Sequence, residues 1–234
     1  MKKQLSETAK KADQDLNKIL ISMAVPLLIF IFYGNAIMDF CKDTSNNIWL
    51  RFIPLMLIQF GLAGFGCVIV MLYRKEHFRD YGLVKSGFLR TVLLSAVVCI
   101  PAIIFMLVNN EVNSYLPLQG CLLTREFLSR TFPVDVLGYA LTILVWGFFE
   151  GFNYVVIAKK INERYLSTST WINYGAIVCG AICILIHGMV GFDMYTLFEA
   201  ITTFIIIYGM LVIKEKNGNA WGCILIFILF WNAF

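Results

Sequence analysis

Residues 134–160 read VDVLGYALTILVWGFFEGFNYVVIAKK. Between Asp135 and the Lys159–Lys160 pair the run carries one charged side chain, Glu150. The stretch Val134–Ala158 is longer than the roughly 20 apolar residues that carry a helix across the hydrocarbon core of a bilayer. A carboxylate in the middle of such a span is costly unless the bundle interior receives it, so it marks a functional candidate by default. Asn153 and Tyr154 follow Glu150 at i+3 and i+4 and share its helical face. The same face also suits a carboxyl group that only locks two helices together.

The pattern repeats on both sides of this stretch. Apolar runs at Ile19–Phe40, Ile48–Tyr73, Phe88–Val108, Tyr174–Phe192, Met194–Ile213 and Ala220–Phe234 bring the total to about seven spans, and the expected fold is an all-α, polytopic transmembrane helical bundle. Composition agrees: 59% of the 234 residues are hydrophobic and 15% charged, against roughly 25% charged in a soluble domain. Residues 1–18 form a polar extension and residues 19–234 the transmembrane domain. The first apolar run is span-length and lacks a small-residue cleavage site, so it reads as a retained helix.

Loop charge orients the bundle. Of the 19 basic residues, 15 fall in four alternating segments: Lys2, Lys3, Lys10, Lys11 and Lys18; Arg74, Lys75, Arg79, Lys85 and Arg90; Lys159, Lys160 and Arg164; Lys214 and Lys216. Lys42, Arg51, Arg125 and Arg130 belong to the other side. The positive-inside rule then places the N-terminus in the cytoplasm and, with an odd number of spans, the C-terminus outside the cell membrane. Basic loops beside a bilayer suit anionic lipid rather than nucleic acid. Arg51 and Asp193 lie near span ends and read as interfacial.

Two further ionisable residues fall inside spans, His187 and Glu199. Cys179 and Cys183 precede His187 by eight and four residues and line one helical stripe with it. A Cys–His pair at that spacing can chelate zinc with Glu150 as a further ligand, although buried Cys more often serves as a small packing residue. The chain has only two His, His77 and His187, which restricts any metal site. Measured along the spans, Glu150 lies about 12 Å and His187 about 20 Å from the inner side. Their meeting therefore requires something beyond simple register.

These residues resemble the CPBP family of intramembrane metalloproteases, which includes type II CAAX prenyl endopeptidases and proteins associated with bacteriocin self-immunity. The resemblance covers roughly residues 75–234. Phe78-Arg79-Asp80-Tyr81-Gly82-Leu83 resembles the family's short cytoplasmic signature, Glu150 falls at the first motif, EExxxR, and Cys183-Ile184-Leu185-Ile186-His187 at the second, FxxxH. Gly218-Asn219-Ala220-Trp221 and Phe230-Trp231-Asn232 resemble the flanks of the third, HxxxN. The resemblance implies an endopeptidase in which Glu150 is the base, His187 holds water or a zinc ion, and Asn153, Tyr154 and Asn232 are polar supports. Cys183 or Glu199 would be a third metal ligand, and the substrate a membrane-associated peptide entering from the cytoplasm. One carboxylate and the Arg of the first motif and the His of the third are missing. That departure points to the alternative, an inactive relative that binds a membrane peptide as an immunity-type protein would. A small proton-relaying transporter is a third reading, disfavoured by the absence of internal repeats.

Overall fold

The computed structural model describes residues 6–167, 169, 171–189 and 191–234. Lys2 and Lys3 of the basic set lie outside the described residues. The chain forms α1 (Glu7–Lys42), α2 (Ile48–Arg74), a 3₁₀ turn at Phe78–Tyr81, α3 (Phe88–Val108), α4 (Thr124–Leu128), α5 (Val134–Arg164), α6 (Tyr174–Ile186), α7 (Met194–Asn217) and α8 (Trp221–Leu229). No strand occurs among the described residues. Helices α1, α2, α3, α5 and α7 are long and apolar enough to cross a membrane. The chain is an all-helical integral membrane protein.

Helix α5 is the axis of the bundle. In its most apolar window 61% of the residues are buried, against 17% for α1, whose Leu20, Ile31 and Phe32 are left for lipid. Small residues explain the difference. A Cβ on Gly151 would come within 2.9 Å of the Cys223 carbonyl of α8, and one on Gly175 within 2.2 Å of the Ala158 carbonyl of α5. Two backbones approach this closely only where no side chain intervenes.

Four boundaries differ from those expected. Helix α1 begins at Glu7 and absorbs most of the polar extension into one 36-residue rod. Helix α5 continues past Ala158 to Arg164, because Lys159, Lys160 and Arg164 find ion-pair partners on the protein. Helix α6 stops at Ile186, with Gly188 at φ +69° turning the chain. Helix α8 ends at Leu229 instead of running to Phe234. At 1.5 Å per residue α6 and α8 are about 20 Å and 14 Å long, short of the roughly 30 Å hydrocarbon core.

The basic loops are tied together by buried charge. Asp15 of α1 is 1% exposed; it accepts from Arg74 of α2 at 2.8 Å and pairs with Lys160 of α5 at 3.2 Å. Lys160 also reaches Glu76 at 3.1 Å, and Tyr81 donates to the same carboxylate. Asp13 receives Arg164 at 2.7 Å. Gly82, at φ +96°, turns its carbonyl to accept from Ala220 at 2.8 Å, and a Cβ there would lie 3.1 Å from the Gly218 carbonyl. Asn219 donates to the carbonyls of Val84 and Ser86, both at 2.8 Å. At the opposite end Arg51, in the first turn of α2, is 3% exposed. It donates to the Cys41 carbonyl at 2.8 Å and to Glu126 of α4 at 2.8 Å, because a guanidinium at that depth needs internal acceptors.

Burial would push the Glu76 and Glu126 carboxyls up. Hydrogen bonds outweigh it, from Tyr81 and Lys160 to Glu76 and from Arg130 and Arg51 to Glu126, and hold both below the ordinary carboxylate value of 4.5. A carboxyl held low in the folded state stabilises it above its ordinary value and loses that contribution as pH falls through the lowered one. Thermal unfolding in detergent is therefore expected to shift to lower temperature below about pH 4.5, and Glu76→Gln is expected to flatten that acid slope. An unchanged slope in the variant would remove Glu76 from the account.

Candidate functional site

The site forms where α2, α5 and α6 meet behind α1. Each of the two crossing helices carries a π-helical segment at this level, Gly61–Phe65 in α2 and Ile143–Phe149 in α5. A π turn inserts an extra residue and re-aims the side chains that follow, and such turns concentrate at functional sites. The two segments pack on each other. Phe60 and Phe149 meet edge to face at 5.0 Å, and a Cβ on Gly64 would lie 3.2 Å from Cβ of Phe149. Gln59 stands just before one π segment and Glu150 just after the other.

Glu150 is 7% exposed. Its Oε2 accepts from Gln59 Nε2 at 2.7 Å, and its Oε1 lies 3.9 Å from His187 Nε2. The second distance is too long for a direct hydrogen bond and short enough for one water to bond both groups. Asn153 is buried and accepts from the Cys67 thiol at 2.8 Å. Tyr154 is buried with its ring stacked on Phe227, centroids 5.3 Å apart. Asn153 and Tyr154 thus line the same wall as Glu150, as their spacing implied.

The depth gap between Glu150 and His187 is real in the backbone, and the side chains close it. Gly175 seats against Ala158, and the Cys179 thiol donates to the Tyr154 carbonyl at 3.6 Å. That register sets Cys183 level with Glu150 and His187 one turn further on, roughly 6 Å. Side chains on a helix lean toward its N-terminus. Helices α5 and α6 run antiparallel, so Glu150 and His187 lean toward each other. Cys183 itself is fully buried.

Above the pair lies a cavity of about 480 Å³ walled by α1, α2, α5 and α6. Leu20, Met23, Leu62, Ile157 and Ile182 make it apolar, and Gln59, Glu150, Asn153, Tyr154 and His187 supply polar groups, with Asn17 of α1 also in its wall. Glu199 and Asn232 are not in it. They line a second cavity, which His187 also borders. As zinc ligands, Glu150 and His187 are two of the three protein groups a catalytic zinc ordinarily takes. Among the described residues no three His, Cys, Asp or Glu side chains converge. The donors present therefore do not fit such a centre.

Gln59 carries no charge and stands outside the motifs that single out Glu150 and His187. A lone amide in IWLRFIPLMLIQF is nonetheless a signal, since an amide in hydrocarbon needs a partner. Comparison with protein-family models, curated proteins and solved structures finds no match to this chain.

Gly175→Ala places a Cβ where the Ala158 backbone stands, forcing α6 away from α5. The expected cost is about 1–3 kcal/mol of stability, with a displaced imidazole resonance of His187 in NMR. Gly34→Ala, where a Cβ would meet only the Phe30 ring at an ordinary 3.5 Å, is expected to leave that resonance nearly in place. Equal behaviour of the two variants would sink the close-approach explanation.

Proposed function

We propose that the protein crosses the membrane seven times, N-terminus in the cytoplasm, and binds an apolar, membrane-associated peptide segment in the α1–α2–α5–α6 cavity. The peptide's polar backbone lies at the Glu150–His187 pair, which activates a shared water for hydrolysis. The observation that carries this reading is the 3.9 Å separation of Glu150 Oε1 and His187 Nε2 in the wall of an apolar cavity. Glu150 takes the proton as the water oxygen bonds to the scissile carbonyl carbon, and that same proton, passed through His187, goes to the leaving amine as the C–N bond breaks. Gln59 orients the carboxylate from its other oxygen. Asn153 and Tyr154 offer hydrogen bonds to the peptide, and the apolar walls exclude bulk water. The resemblance to CPBP endopeptidases supports the same roles for Glu150 and His187. The chemistry needs no metal, in keeping with the donor set.

For orientation, the support is that the described basic residues of the four inner segments include Lys160 and Arg74, which share one ion-pair network across α1, α2 and α5. Helices α6 and α8 complete the seven crossings together with the non-helical segments that follow them. A second reading, binding without cleavage, is favoured by one observation. No Lys or Arg lines the cavity among the described residues, so charge developing on a scissile carbonyl lacks a cationic partner.

The discriminating measurement is cleavage of fluorescence-quenched apolar peptides by protein reconstituted in vesicles, with metal content assayed on the same samples. Glu150→Gln and His187→Ala are each expected to lower turnover about 100-fold or more with no change in metal content. Stoichiometric zinc lost in both variants would overturn the metal-free chemistry. Peptide capture without cleavage, weakened by Glu150→Gln, would establish the binding role instead.

A further inference from the structure

His187 borders two cavities. Besides the apolar one, it borders a second, of about 230 Å³, where Glu111, Glu199, Thr202, Thr203 and Asn232 stand among apolar residues such as Phe105 and Ile206. This crevice opens at the end of the molecule opposite the basic loops, where Glu111 accepts from Tyr195 at 2.5 Å. It is also where both short helices stop. Helix α6 ends at Ile186 after about 20 Å, and α8 at Leu229 after about 14 Å, so the chain leaves helical form inside the depth of a roughly 30 Å hydrocarbon layer. Non-helical backbone at that depth is tolerated only where protein buries it or where it lines water. The segment after α8 is held by protein, with the Asn232 and Ala233 carbonyls accepting from Gly120 and Leu116, both at 3.0 Å. The segment after α6 is not so covered. Of its described residues, Gly188 is exposed and His187 and Met189 line the crevice.

The residues that follow the C-termini of α6 and α8, each the negative end of its dipole, line this crevice together with Glu199 and Glu111. An apolar cleft would gain nothing from that arrangement, whereas water and small cations would be drawn to it. We propose that the crevice is a water-filled inlet from the face opposite the basic loops, ending on His187. The Glu150–His187 pair then receives water from that face, while the apolar cavity receives its peptide from the bilayer. The working role given to the pair rests on the function proposed above; the hydration of the crevice does not.

The inlet is tested by thiol accessibility in sealed vesicles of both orientations. The parent carries Cys121→Ser, since the other six cysteines are buried, and its own labelling sets the background. Met189→Cys reports the deep end and Glu199→Cys the middle. Lys85→Cys marks the basic face, and Leu93→Cys, on the lipid-facing side of α3, marks surface buried in lipid. A membrane-impermeant cationic methanethiosulfonate is expected to label positions 189 and 199 only from the face opposite Lys85→Cys, leaving Leu93→Cys at background. The cationic reagent is expected to react at position 189 about tenfold faster than an anionic one of similar size, and Glu199→Gln is expected to narrow that ratio. Labelling from the Lys85 face, or none at either position in protein that elutes like the parent, overturns the inlet. Peptide turnover that survives Glu150→Gln while the labelling pattern holds would refute the proposed function and leave the inlet standing.

Discussion

A carboxyl group in a membrane interior has to be given partners by the protein, and much of this structure is the consequence of providing them for Glu150. Helix α5, which carries it, is the most buried of the five long helices. Gln59 comes to one carboxyl oxygen and His187 to within a water's reach of the other. The π segment in α5 precedes Glu150 and bears on its aim, and the glycine contact of α6 on α5 sets the height of His187. Each device serves packing as well. Together they produce a polar point in an apolar chamber, where electrostatic interactions are strong because little water competes.

The buried ion network near the basic loops performs a related task at larger scale. Asp15, Arg74, Glu76 and Lys160 join the first, second and fifth helices at one level. Buried ion pairs are weak contributors to net stability but strong determinants of register, because a slipped helix would leave a charge unpaired. Helix α1 has little buried surface of its own and also forms a wall of the apolar cavity. Its placement through Asp13 and Asp15 therefore fixes the shape of the chamber as well as the bundle.

Much of this was legible residue by residue. The long runs around Glu150 and in α2, α3 and α7 identify themselves, since an uninterrupted apolar stretch of span length has few alternatives. Glu150, Asn153 and Tyr154 share a face because helical spacing dictates it. Gln59 was overlooked because an amide is a quieter signal than a charge. The burial of Arg51 was not legible, because its partners Glu126 and the Cys41 carbonyl are not near it in sequence. The stopping points of α6 and α8 were hidden by apolar residues that continue past them. Hydropathy registers the residues but not the turn that Gly188 makes.

The sequence by itself determined an all-helical membrane chain, the clustering of its basic loops and the candidacy of Glu150 and His187, because these follow from solvent preference and periodicity, which are local. Only the tertiary structure decided that the two side chains converge. Their helices are offset by about a turn, and the convergence comes from antiparallel helices whose side chains lean in opposite directions. It also decided that His187 stands between an apolar chamber and a crevice that carries Glu111 and Glu199, while Glu199 and Asn232 belong to the crevice alone. Which wall a residue faces depends on the helices packed against it, and those are brought there by contacts far apart in the chain.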